Sequence, residues 1–253
     1  MSRPEGEEES GAASDILGAA LGAAARKAGL DPAAEATTGH VVWRAMGGWR
    51  GVLESVLPSL AFLVIYTVAQ HLLLALAISV GLAVVFTVVR LAAKSPPSAA
   101  LGGLIATGAA AALALWTGRA QDNFVLGFVT NGAYGTVLLV SAVIGWPLIG
   151  LAAGFLMGER TEWRTDRRKR RVYFWLSIAW AALFALRLAV QLPLYFAAGG
   201  AVPGSPDEVA LTGALAATKL VMGIPLFAPL VAVTWLAVRA LNPRGGGSER
   251  PPE

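Results

Sequence analysis

Six cations joined directly to an apolar segment long enough to cross a bilayer restrict this chain more than anything else in it. Arg164, Arg167, Arg168, Lys169, Arg170 and Arg171 come first, and residues 173–198 then run almost without charge, interrupted only by Arg187. About 20 apolar residues span the hydrocarbon core of a membrane, so the stretch reads as a spanning helix with a basic foot. Cations collect in cytoplasmic loops, which places the foot on the cytoplasmic side. Arg187 falls deep in the apolar segment, where an ionisable side chain is a functional candidate by default.

The remainder of the 253 residues agrees with a membrane setting. The chain is 56% hydrophobic and 14% charged, with a mean hydropathy of +0.62, whereas about a quarter of a soluble domain is charged. The expected fold class is all-α, a polytopic membrane helical bundle. A net charge of +4 would point to nucleic acid in a soluble protein. Here the cations flank apolar segments, so anionic lipid headgroups are the expected partner and nucleic acid is not. There is no cysteine, and the histidines are His40 and His71. Disulfides and thiolate sites are therefore excluded, and no metal or cofactor is expected.

Residues 1–41 read as a cytoplasmic tail, Glu-, Ser- and Gly-rich over 1–13 and Ala-rich over 14–30. The first part has the composition of a disordered segment. The second has the makings of a surface helix, though alanine gives it a poor apolar face. Trp43, Arg44, Trp49 and Arg50 form an interfacial anchor ahead of a membrane domain over 42–241, and a polar tail follows over 242–253. Six spans are expected near 51–69, 72–93, 98–116, 124–145, 173–198 and 209–241, with Gln70 and His71 as a minimal hairpin between the first two. Pro147 breaks the fourth apolar region and starts a short helix to 158. Its Gly150, Gly154 and Gly158 recur every four residues as a stripe suited to close packing. In the turn over 117–123, Arg119 and Asp122 are near enough to pair. Counting cations by loop puts both termini in the cytoplasm of a multi-pass inner-membrane protein.

Arg187, Gln191 and Tyr195 are spaced by four and share one helix face. Counting rises from the helix ends puts Arg187 roughly 16 Å and Lys219 roughly 15 Å below the outer surface. Glu54 starts near the inner surface and Asp122 near the outer one, so no carboxylate is level with the two cations. Either an acid reaches inward, or an anion or water fills the gap, or Lys219 sheds its proton on desolvation. Asn131, Tyr134 and Ser141 are placed to line the same interior. Arg187 then acts as glue between helices or as part of an anion or headgroup pocket. The basic foot reads as a topology signal that contacts lipid. Paired carboxylates at helical spacing of the kind that bind magnesium and diphosphate, a His-Glu-x-x-His motif and a nucleophile elbow are not found in the sequence, so an enzyme is not expected.

Met46-Gly-Gly-Trp-Arg-Gly-Val-Leu-Glu-Ser-Val-Leu-Pro58 and Arg187-x-x-x-Gln191-x-Pro193-Leu-Tyr195 resemble the actinobacterial domain of unknown function 3159 family, over about residues 42–241. A more distant similarity links the chain to the intracellular septation protein A family. It rests on Leu57-Pro58 with Tyr66, Asp122-x-Phe124, Pro147-Leu-Ile149 and Trp180-Ala-x-x-Phe184. The resemblance implies a small multi-span inner-membrane protein associated with envelope integrity and division, and it carries over no catalytic residue. The expected function is accordingly non-enzymatic support of envelope or division processes through lipid contacts and through membrane-protein partners or further copies of the chain. The alternative is a transporter or channel for an anionic solute using Arg187 and Lys219.

Overall fold

The structure is a computed structural model and describes residues 48–93 and 98–242. Among them it is all helical: α1 (Gly48–Ala69), α2 (Leu72–Ala92), α3 (Ser98–Thr117), α4 (Val125–Val143), α5 (Leu148–Met157), α6 (Arg167–Gly200), α7 (Pro206–Val221) and α8 (Ile224–Leu241). Short 3-10 turns occupy Ala120–Phe124 and Glu162–Arg164. The tail over 1–41 with its surface helix, Trp43, Arg44, the side chains of Trp49 and Arg50, and the tail beyond Asn242 lie outside the described residues.

Four helical segments are long and apolar enough to cross a membrane: Leu72–Ala92, Ala120–Val143, Arg167–Gly200 and Pro206–Leu241. Shorter apolar segments, Val56–Ala69, Leu101–Thr117 and Leu148–Met157, stand where the first and third spans and the helix after Pro147 are expected. Large apolar side chains such as Val64, Val68, Val88, Val129 and Val143 face outward. In water a surface of that kind is a liability, whereas among lipid tails it is at no disadvantage. This is the surface of a membrane protein.

Local chemistry sets the breaks. Gln70 adopts a left-handed φ of 50°, and His71 caps α2 by accepting the Leu74 amide at its Nδ1, 3.4 Å away. At the α4–α5 corner Gly145 has φ 78°. There Ser141 Oγ donates to the Leu138 carbonyl at 2.8 Å and accepts the Leu148 amide at 3.2 Å. The break at Pro147 thus forms where the sequence places it. The expected single span over 209–241 is instead divided at Met222 and Gly223. Pro225 has no amide hydrogen to continue the helical ladder and suits the first turn of a new helix. Lys219 consequently occupies the last turn of α7 rather than the middle of a long span.

The described residues form two compact units. The first contains 138–179 and 229–242. Its core is Trp163 against Tyr173, each 1% exposed, ring centroids 5.4 Å apart and nearly perpendicular. Both rings press on α5 where it has no side chain. A Cβ on Gly150 would stand 2.9 Å from the Trp163 ring, and one on Gly154 would overlap the Arg160 carbonyl and stand 2.6 Å from the same ring. Gly150 and Gly154 therefore serve the expected packing stripe, while Gly158 ends α5 as a left-handed cap. Lys169 Nζ meets both Glu159 oxygens at 2.6 and 2.7 Å and Asn242 Oδ1 at 2.7 Å. Asn242 also donates to Tyr173, so the residue read as the first of a tail is tied into this unit.

The second unit contains 48–137 and 180–228. Phe62 stacks on Tyr66 at 5.6 Å and meets Phe124 edge-on at 5.8 Å, with Ala75, Ala111, Ala114 and Ala216 filling the space around them. Small residues let membrane helices approach closely. Gly132 and Gly135 do the same for α4 against Leu188 and Phe184 of α6. Glu54 pairs with Arg90 at 2.6 Å; the two lie almost equally far from the Gln70–His71 turn, so the antiparallel hairpin brings them level.

The glycine contacts give opposite signs for one substitution. Gly→Ala within a helix ordinarily stabilises by about 1 kcal/mol, and Gly81 in α2 has open space around its missing Cβ. Gly81→Ala should raise the unfolding temperature in detergent, whereas Gly154→Ala should lower it through overpacking worth about 1–3 kcal/mol.

Candidate functional site

The expected polar stripe lies on α6, but its members do not serve one another. Tyr195 donates its hydroxyl to Asp122 Oδ1 at 2.8 Å. Gln191 is 3% exposed and its Nε2 has no hydrogen-bond partner among the described residues. Arg187 Nε is likewise buried without a partner, and no hydrogen bond or ion pair ties Arg187 to any described residue. The shell that Gln191 and Tyr195 are expected to give Arg187 does not form. Tyr195 instead finds its partner on the turn ahead of α4.

Lys219 places its Nζ 5.2 Å from the centroid of the Phe124 ring. It is near enough to Arg187 for the two like charges to be felt. The cations do share one region, and among the described residues neither acid considered for them pairs with them: Glu54 pairs with Arg90, and Asp122 accepts from Tyr195 without an ion pair to either cation. The buried Arg187 Nε near an ammonium, with the Gln191 Nε2 donor one turn along the same helix, is suited to an acceptor such as a carboxylate, phosphate or halide. Asn131 on α4 is buried, Tyr134 is exposed, and Ser141 is used at the α4–α5 corner.

Sequence reasoning missed the acid that the fold buries most completely. Glu208 ends a Gly- and Pro-containing polar stretch over 199–208, yet it is 3% exposed. Its Oε2 accepts the Tyr66 hydroxyl at 2.6 Å and its Oε1 the Thr212 hydroxyl at 3.0 Å. The local signal was Ser205-x-x-Glu208, a capping-box pattern. Ser205 Oγ does accept the Glu208 amide at 3.2 Å. The Ser205 amide, however, is already bonded to the Val202 carbonyl, which leaves the Glu208 carboxylate free to turn inward. Nothing local announced Tyr66, 142 residues away in the chain. Asp122 is buried too, and Tyr195 takes the place of Arg119, its expected partner.

The six cations of the basic foot separate into different roles. Arg164 lies 3.7 Å over the Trp146 ring, and Lys169 is held by Glu159 and Asn242. Arg168 is exposed. Arg167, Arg170 and Arg171 line a cavity of about 440 Å³ whose remaining wall is Phe174, Pro147, Gly145 and Ala142. Five successive cations at the start of α6 oppose the helix dipole. Asp166 offsets them at the helix start, accepting the Arg168 and Lys169 amides at 2.7 and 3.3 Å, and Glu159 pairs with Lys169.

The two tyrosine–carboxylate bonds and the unpartnered Arg187 predict different outcomes. Tyr195→Phe and Tyr66→Phe should each lower stability in detergent by about 1–3 kcal/mol, because each strips a donor from a buried carboxylate. Arg187→Leu removes no such bond and should leave stability within about 1 kcal/mol of the parent. A loss for Arg187→Leu equal to that of Tyr195→Phe would restore its role as glue.

No curated protein and no solved structure matches the chain. The family model described as "Protein of unknown function (DUF3159)" matches residues 46–245. That range contains every helix described above, and the chain belongs to this family.

Proposed function

We propose that the chain is a non-enzymatic multi-pass protein of the cell membrane that supports envelope or division processes by holding anionic lipid and protein partners. One observation carries the reading, the half-apolar cavity lined by Arg167, Arg170 and Arg171 beside Phe174 and Pro147. Guanidinium groups form paired hydrogen bonds with phosphate oxygens, and the apolar wall is chemically matched to the glycerol and first methylenes of a lipid. Each cation near an anionic leaflet contributes about 1 kcal/mol of attraction. In this reading the basic foot faces the cytoplasm, six crossings separate two cytoplasmic termini, and the apolar outer surface accepts lipid, membrane-protein partners or further copies of the chain.

A second reading rests on the unpartnered donors of Arg187 and Gln191 beside Lys219. An anion there makes the chain a transporter or channel for an anionic solute, and flux of a labelled anion into proteoliposomes separates this from the first reading.

Replacing Arg167, Arg170 and Arg171 by Gln should abolish retention of anionic phospholipid in native mass spectrometry. Lys169→Gln should lower thermal stability and leave lipid retention unchanged. Equal lipid retention in the triple variant removes the basis of the proposal. The orientation has its own check in a chain without cysteine: Ser205→Cys should react with an impermeant thiol reagent in intact cells and Ser248→Cys should not.

A further inference from the structure

A second cavity lies within the larger unit, apart from the basic foot. The end of α1, the start of α2, the 118–121 turn, the end of α6 and the start of α7 enclose about 290 Å³, lined by Tyr66, Gln70, Arg119, Gln121 and Glu208 among others. Two of these residues have acceptor capacity that the described protein leaves unmet. A carboxylate offers about four acceptor positions, and Glu208 uses one on each oxygen, both filled by uncharged hydroxyls. No cationic side chain among the described residues is within ion-pair distance of it. Gln121 is 2% exposed, and its Oε1 is buried with no partner.

A buried carboxylate without a cation is costly, and so is a buried amide oxygen without a donor. One group answers both needs, a compact cation carrying several N–H donors. We propose that this cavity binds a primary ammonium group, with Glu208 taking its charge and Gln121 Oε1 a second of its hydrogens. Arg119 lines the same cavity and is exposed. It is placed to take an anionic group on the same molecule, which makes the ligand a zwitterionic amine of the phosphoethanolamine kind. That chemistry has two sources, the headgroup of an aminophospholipid or a free soluble amine.

The probes are ethanolamine, phosphoethanolamine and sodium ion, titrated calorimetrically against the full chain in detergent, together with nanodiscs containing ethanolamine or glycerol phospholipids. The parent should bind both amines saturably. Glu208→Gln should weaken both by about tenfold or more, the loss of one charge-assisted hydrogen bond. Gln121→Met should weaken both as well. Gln121 Oε1 makes no hydrogen bond in the protein, so this variant keeps the test open even where Glu208→Gln misfolds. Arg119→Gln should weaken phosphoethanolamine and leave ethanolamine unchanged. Binding of the free amines assigns a soluble source. Selective retention of the ethanolamine phospholipid, with no binding of either free amine, assigns the lipid. The proposal is overturned if the parent takes up neither amines nor the ethanolamine phospholipid, if sodium binds and the amines do not compete with it, or if Gln121→Met binds as the parent does.

Discussion

A buried polar group has to find its partners within the protein, and the second unit is arranged around that constraint. Glu208 and Asp122 are both buried, and each is held by a tyrosine hydroxyl from a distant part of the sequence. These bonds do more than satisfy two acids. Tyr66 fastens the end of α1 to the start of α7, and Tyr195 fastens α6 to the turn ahead of α4. Tyr66 also stacks on Phe62, which meets Phe124. The apolar cluster and the polar ties therefore share the same aromatic residues, and a shift in either disturbs both.

Close packing is achieved by omission of side chains rather than by large ones. Membrane helices gain little from burying apolar surface against each other, since lipid is as apolar as leucine. Contact at short range has to supply the attraction. Alanine around Phe62 and Tyr66, Gly132 and Gly135 beneath α6, and Gly150 and Gly154 beneath Trp163 all serve that end. Trp163 and Tyr173 are then seated by shape, with Lys169, Glu159 and Asn242 closing the polar side of their unit.

The unsatisfied groups of the second unit mark where it departs from this economy. Arg187 Nε, Gln191 Nε2 and Gln121 Oε1 are all buried without partners among the described residues, although buried polar atoms in proteins are nearly always bonded. Two are donors one turn apart on α6, and the third is an acceptor on a residue that lines the same cavity as Glu208. The ligands proposed for the two sets are accordingly of opposite charge.

Hydropathy, proline and loop charge are properties of short stretches, and what depends on them was legible in the sequence. The all-helical membrane fold, the Gln70–His71 hairpin, the corner at Pro147 and the basic foot ahead of α6 follow from residues that are neighbours in the chain. So does the packing role of Gly150 and Gly154. The break at Met222 and Gly223 was written in the same language, through Pro225, but a continuous apolar run concealed it. Tertiary structure alone decided the partners. Arg187, Gln191 and Tyr195 share a face by arithmetic, yet the rotation of α6 against its neighbours sends Tyr195 to Asp122 and leaves the other two unpaired. Glu208 could be placed at a helix start from Ser205-x-x-Glu208. Its burial depended on Tyr66, and no local pattern records which of two distant helix ends will meet.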